Sequence, residues 1–154
     1  MINVEIHGGN RIASALKKIQ DRLSAKRRVL IGLPAGTGNY EDGTPIVVIG
    51  AVQEFGSSDG RTPERSFLRV PLRQNQDNIK RAFQSLSGAV ARGEISAFQM
   101  LDQIGARAAG YCQEAIEAGI QPANAESTVK AKGSATPLIN HGTLKGKITH
   151  VVED

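Results

Sequence analysis

The sequence predicts an α+β fold in which a small mixed or antiparallel sheet packs against several helices. Three observations support this prediction. The 154 residues fit a single domain with one core, so residues 1–154 are expected to fold together. Short segments with strand-like patterns lie near both ends of the sequence. Between them, apolar residues recur at helical spacing over long segments.

The first part of the chain predicts a strand, a helix and a second strand. Ile2, Val4 and Ile6 alternate with polar residues, which indicates a half-buried strand. Asn10 is expected to cap the next helix. The apolar stripe of that helix repeats every three or four residues: Ile12, Leu16, Ile19, Leu23. The apolar run 29–33 predicts a more buried strand, which Pro34 ends.

Residues 35–44 form a polar, glycine-rich segment that predicts a long mobile loop. Gly36 and Gly38 superficially suggest a phosphate-binding loop, but no Gly-Lys-Ser/Thr follows them. A loop that becomes ordered on a partner is the better interpretation, because such residues contribute little packing energy.

The middle of the chain predicts helices separated by glycine and proline. The segment 45–55 has both strand and helix character, and helical spacing up to Gly56 favours a helix. Residues 56–62 predict a turn, and 63–72 an irregular segment because of Pro71. Two longer helices are expected, one from Gln74 to Gly93 and one over 96–118.

The last part of the chain predicts a short helix over 124–132 and a closing strand over 147–152. The expected element order is therefore β-α-β-α-α-α-β. Small residues in the long helix over 96–118, including Gly105 and Gly110, would allow a neighbour to approach closely. Core packing and a subunit contact both explain them.

Composition and residue spacing exclude several functional classes but do not identify one. The net charge of +4 permits contact with nucleic acid without requiring it. Cys112 is the single cysteine, lies in an apolar helical pattern and is expected to be a buried hydrophobe. The three histidines share no metal-ligand spacing: His7, His141, His150. No catalytic constellation can be assembled, so we expect no enzyme, no cofactor and no metal. Neither a secretory leader nor a membrane span is indicated.

Two sequence blocks carry a family resemblance. The first is Glu54-Phe55-Gly56 followed by Pro63-Glu64-Arg65-Ser66-Phe67-Leu68-Arg69, and the second is Thr128 to Gly133 followed by Pro137-Leu138-Ile139-Asn140-His141-Gly142-Thr143-Leu144. Together they resemble the tail-completion and head–tail joining proteins of long-tailed bacteriophages. The blocks resemble the patterns "EFG…PxRPFLRP" and "T…K…PLxDTGxL". Ser66 replaces a common proline, and Asn140 and His141 replace the usual Asp-Thr.

The resemblance implies a structural virion protein that is made in the bacterial cytoplasm. Such a protein forms a homo-oligomeric ring, commonly six-fold, in the neck or at the top of the tail. Its partners would be further copies of itself and the neighbouring neck, tail-terminator or tail-tube proteins. Non-specific contact with DNA in the channel fits the basic charge. A tail-terminator protein capping the tail tube is the first alternative, and a small basic DNA-binding domain is the second.

The residues around the first block are the candidates for subunit or partner contacts. Arginine and aromatic residues are favoured at interface centres. The candidates are Glu54, Phe55, Arg65, Phe67 and Arg69. In an extended segment residues 65, 67 and 69 would share one face, and Glu54 of the same or the next subunit could pair with the arginines. Core packing explains Phe55 and Phe67 equally well.

Overall fold

A computed structural model gives the structure of the protein and describes residues 9–23, 27–122 and 142–153. Within these ranges the chain forms helices and a two-stranded antiparallel sheet, as the α+β prediction requires. In chain order the elements are α1 (Gly9–Leu23), β1 (Arg28–Gly32), α2 (Ile46–Phe55), α3 (Arg69–Gln74), α4 (Gln76–Arg92), α5 (Ala97–Ala118), α6 (Thr143–Lys147) and β2 (Thr149–Glu153).

The sheet joins two segments that are far apart in sequence. β1 pairs antiparallel with β2, with Arg28 opposite Glu153 and Gly32 opposite Thr149. The side chains of Arg28 and Glu153 also form an ion pair with a 2.8 Å N–O distance. One face of the sheet packs on α5, whereas Leu30 on the other face is 45% exposed.

Helix α5 is the central element of the fold. Both strands, α3, α4 and α6 pack against it, and α1 packs on α4. Gly105 lies where the sheet crosses α5: a Cβ there would come within 2.6 Å of both Val29 and His150. The small residue at 105 therefore serves packing inside the chain. A Cβ on Gly110, in contrast, would meet no atom within 4 Å among the described residues.

The buried residues form two clusters along α5. One lies at its C-terminal half: Ile46, Phe67, Ala109, Cys112, Ile116, Leu144, Ile148. The other lies between its N-terminal half and α4: Ala82, Val90, Met100, Leu101, Ile104. Cys112 is fully buried, which agrees with its expected role as a core hydrophobe.

Several predicted helix limits are confirmed, and the structure shows why they hold. Ser96 accepts a hydrogen bond from the Gln99 amide while Gln99 bonds back to the Ser96 amide, a capping box that starts α5. Gly93 ends α4 in the left-handed region, and Gly119 follows α5 at φ 86°. Asn10 is not a cap, because α1 already includes Gly9.

The prediction for residues 63–72 is wrong in one respect. Pro71 does not prevent a helix, since it lies in the first turn of α3. At that position a backbone N–H would have no partner within the helix, so proline removes nothing that the helix needs.

The loop 35–44 contains regular turn contacts. Tyr40 packs against the first cluster and exchanges backbone hydrogen bonds with Thr44 and Gly43. The Asp42 carboxylate accepts a hydrogen bond from the Thr44 amide. The mobility expected for this loop remains a prediction that hydrogen exchange can test.

Three predicted elements lie outside the described residues. They are the strand at Ile2 to Ile6, the helix over 124–132, and most of the second sequence block. Leu144, the last residue of that block, is described and is buried.

Candidate interface around Glu54 and Phe55

The first sequence block folds into one connected structure around the end of α2. Gly56 ends that helix at φ 78°, where a Cβ would lie 3.2 Å from the Thr62 carbonyl oxygen and the Glu64 amide nitrogen. Ser57 and Thr62 then close the turn through a 2.9 Å backbone hydrogen bond. The chain therefore returns from α2 directly to the segment 63–69.

The Glu54 carboxylate is the polar centre of this structure. Glu54 is only 3% exposed. Its Oε1 accepts hydrogen bonds from the Ser66 hydroxyl at 2.7 Å and from Nε and the amide of Arg69 at 2.8 and 3.1 Å. Its Oε2 accepts one from the Leu68 amide at 2.9 Å. A buried carboxylate is stable only when it is satisfied in this way.

These contacts keep Glu54 ionised. Burial by itself raises the pKa of the Glu54 carboxyl. The hydrogen bonds from Ser66, from the Arg69 side chain and from the amides of Leu68 and Arg69 together outweigh burial, so the pKa lies below its ordinary value of 4.5. Glu54 is therefore a negative charge placed at the start of α3, where helix dipoles favour anions.

The same contacts explain why α3 begins at Arg69. The Arg69 amide donates to Glu54, and the Val70 amide donates to the Ser66 hydroxyl oxygen at 3.2 Å. The next residue is Pro71, which has no amide hydrogen. All the amide hydrogens that a helix start leaves unpaired are thus accounted for without water.

Arg65 points into the protein. The residue is 5% exposed, and its Nε donates to the Pro122 carbonyl oxygen at 2.6 Å. Its guanidinium also donates to Oε1 of Gln53 at 3.2 Å, and its backbone amide donates to the Gln53 carbonyl oxygen at 2.7 Å. Arg65 thereby ties the segment 63–69 to α2 and to the chain that follows α5.

Phe67 belongs to the core. It is fully buried in the cluster at the C-terminal half of α5. A Cβ on Gly50 would lie 3.6 Å from both the Phe67 ring and the Leu144 side chain, and would also clash with Leu33. Phe67, from the first sequence block, and Leu144, from the second, therefore lie against the same glycine of α2.

Phe55 and Arg69 remain at the surface. Phe55 is 63% exposed, and the Arg69 guanidinium carbon lies 4.6 Å from its ring centroid. Arg69 also pairs with Glu64 at 2.8 Å, and its side chain is 48% exposed. Arginine and aromatic residues are both enriched at interface centres.

The structure thus brings the five candidate residues together, but some of them are buried within the chain and others are exposed. The expected common face of residues 65, 67 and 69 is wrong, because Glu54 binds the amides at 68 and 69 and starts a helix there. Phe67 and Arg65 are buried within the chain, and Glu54 pairs with Arg69 of the same chain. Phe55 and Arg69 are the two members that a partner can reach.

The sequence interpretation missed the rest of this surface. Every exposed residue of α2 is apolar: Val47, Val48, Ala51, Phe55. We call these four residues the α2 face. The signal was present, because α2 has no polar residue before Gln53, and a helix that is apolar on all sides is normally buried.

The described residues hold no group of three or more His, Cys, Asp or Glu side chains that could bind a metal ion. None of their helices combines the length and the apolar character needed to cross a membrane. The burial of Cys112, followed by the charge of Glu54, raises the pKa of its thiol to about 11. At neutral pH that thiol is protonated and is a poor nucleophile.

We compared the chain with protein-family models, with curated proteins and with solved structures, and no match was found in any of the three comparisons.

Proposed function

We propose that the protein is a structural component of a long-tailed phage particle. It completes the tail or joins head to tail as a ring of identical subunits in the neck. The resemblance of the two sequence blocks to tail-completion proteins suggests this function. The observation that supports it most strongly is the exposed α2 face, whose Phe55 ring is stacked with Arg69.

The arrangement of the blocks supports a scaffold rather than a reaction site. Their polar residues are used to fix the backbone: the Glu54 carboxylate takes four donors from the segment 66–69. Their apolar residues, Phe67 and Leu144, pack around Gly50. A rigid block that presents one exposed aromatic ring is suited to docking between proteins.

The test is to remove the chain from a phage that encodes it and to examine the particles. We expect separate filled heads and tails, which purified protein should join when it is added back. Phe55→Ser protein should fail in this add-back, because it loses the exposed ring and keeps the fold. Infectious particles that lack the chain altogether would contradict the proposal.

The two alternatives give different results in the same experiment. A tail terminator would leave tails of uncontrolled length when it is missing, whereas a joining protein leaves tails of normal length. A DNA-binding domain would bind duplex DNA with an affinity that falls steeply with salt. Its strongest support is the set of exposed basic residues on α1: Arg11, Lys17, Lys18, Arg22.

A further inference from the structure

Two apolar helix surfaces are left uncovered by the described residues. The first is the α1 stripe, which we define as Ile12, Leu16 and Ile19; Ile12 is 62% and Leu16 is 60% exposed. The second is the α2 face, in which Val48 is 52% and Phe55 is 63% exposed. Helices in proteins are stabilised mainly by burying such surfaces, so each of these is expected to have a partner.

The segments that contain the two surfaces carry opposite net charge. Helix α1 has four basic residues and one acidic residue, a net charge of +3. Arg11 and Lys18 are seven residues apart and so lie on one side of the helix, next to the stripe. Residues 35–69, which include the Arg69 that stacks on Phe55, contain five acidic residues and three arginines, a net charge of −2. Apart from Glu54, those acidic residues are exposed: Glu41, Asp42, Asp59, Glu64.

The surfaces also belong to different parts of the fold. Helix α1 packs on α4, and the Arg22 guanidinium donates to the Ala91 carbonyl oxygen at 3.2 Å. Helix α2 packs on the cluster at the C-terminal half of α5, through Ile46. A contact between two unlike surfaces of identical chains leaves one of each surface available, so it continues until a ring closes or a filament grows.

We propose that α1 of one copy docks on the α2 face of the next copy. The α1 stripe covers Val48 and Phe55, while Arg11 and Lys18 face the acidic residues of the segment 35–69. The inference rests on the proposed function, because a ring of identical subunits requires a head-to-tail contact of this kind. The contact itself is a property of the purified chain.

Two single-surface variants test the contact. Leu16→Asp disables the α1 stripe, and Val48→Asp disables the α2 face; both residues are exposed, so the monomer should keep its melting temperature. Each variant should self-associate about tenfold or more weakly than the unmodified chain. Phe98→Asp is the matched control, because Phe98 is 47% exposed and lies outside both surfaces.

Mixing the two variants separates a head-to-tail contact from a symmetric one. In the mixture one of the two contacts is intact, so analytical ultracentrifugation should find one-to-one pairs and nothing larger. If either variant alone forms dimers, like surfaces pair with each other and the proposal is wrong. Arg11→Glu with Lys18→Glu should weaken association, and Glu41→Lys in the partner should restore part of it.

Cysteine cross-linking gives a second measurement that works even for weak association. Because Cys112 is fully buried, Leu16→Cys and Val48→Cys supply the reactive thiols. Mixed chains should form a disulfide between 16 and 48, and much less between like positions. A chain that stays monomeric at about 1 mM and gives no such disulfide overturns the contact. The contact is also overturned if the thiols introduced at positions 16 and 48 do not react with a thiol reagent in the monomer, because the chain itself then covers both surfaces. Tail joining tests the proposed function separately.

Discussion

The carboxylate of Glu54 and the hydroxyl of Ser66 are joined by a 2.7 Å hydrogen bond in the interior of the protein, twelve residues apart in sequence. This bond, with those from the amides of Leu68 and Arg69, fixes the segment that follows the α2 turn. Glu54→Ala should lower the free energy of unfolding by about 2–4 kcal/mol, because it leaves several buried donors unsatisfied.

Glu64→Ala is the matched control for that measurement. Glu64 pairs with the same arginine as Glu54, but its side chain is 55% exposed. Its loss should cost less than about 1 kcal/mol. Equal losses for the two variants in urea denaturation would show that the buried hydrogen bonds of Glu54 do not stabilise the fold.

The stabilising contribution of the Glu54 carboxylate should depend on pH. Because the pKa of Glu54 in the folded protein is below its ordinary value of 4.5, its contribution is present above that value and is lost as the pH falls through the folded pKa. The difference in unfolding free energy between the unmodified chain and Glu54→Gln should be constant from about pH 7 to pH 5 and shrink in more acidic solution. A difference that grows on acidification would contradict this.

The two phenylalanines of the first block should behave oppositely when truncated. Phe67→Ala should cost about 3–5 kcal/mol of stability, because Phe67 is fully buried. Phe55→Ala should cost less than about 1 kcal/mol, since the ring is 63% exposed, and should instead impair assembly. Thermal melts of the monomers and particle imaging measure the two effects. A large loss of stability in Phe55→Ala would assign that ring an internal role.

Two glycines of α5 form a second matched pair. Gly105→Ala should destabilise the fold by about 1–3 kcal/mol, because the new methyl group would lie 2.6 Å from Val29 and His150. Gly110→Ala should stabilise it by up to about 1 kcal/mol, since a Cβ there meets nothing within 4 Å among the described residues and alanine favours the helix. If Gly110→Ala folds well but blocks oligomerisation, position 110 lies in a subunit contact.

The Cys112 thiol should report unfolding. Burial, with a smaller effect of the Glu54 charge, raises its pKa to about 11, so the folded protein should react very slowly with a disulfide reagent at about pH 8. Denaturant should increase the rate along the unfolding curve. Complete reaction within the mixing time under native conditions would show that the C-terminal half of α5 opens readily.

The sequence predicted the elements whose signals are local. The end of α4 and both limits of α5 follow from periodicity together with Gly93, Ser96 and Gly119, all of which act within one turn of the residues they affect. The start of α4 was expected at Gln74, which instead ends the separate helix α3. The helix over 46–55 could be separated from a strand by the same means. These assignments needed no knowledge of the rest of the chain.

The sequence was sufficient to locate the candidate site, but not to tell which of its side chains are buried and which are exposed. Whether Phe55 or Phe67 enters the core depends on where Gly50 and Leu144 lie, and Leu144 is far away in sequence. Pro71 ends helices in most contexts, but here Glu54 supplies the acceptor for a helix start just before it. The burial of Arg65 could not be predicted from the sequence either, because its hydrogen-bond acceptors come from α2 and from Pro122.

The pairing of β1 with β2 also has a consequence for the order in which the chain folds. The Arg28–Glu153 bond closes a separation of 125 residues, whereas α4 and α5 are joined by a short turn. The entropy of closing a long loop is lost before its contacts form, so distant pairings tend to arise late and slowly. We expect the α4–α5 hairpin to form first and to present α5 as the surface on which the two strands meet. Until they do, Leu30 and Val151 lie on unpaired strands, and the chain is most exposed to aggregation during that interval.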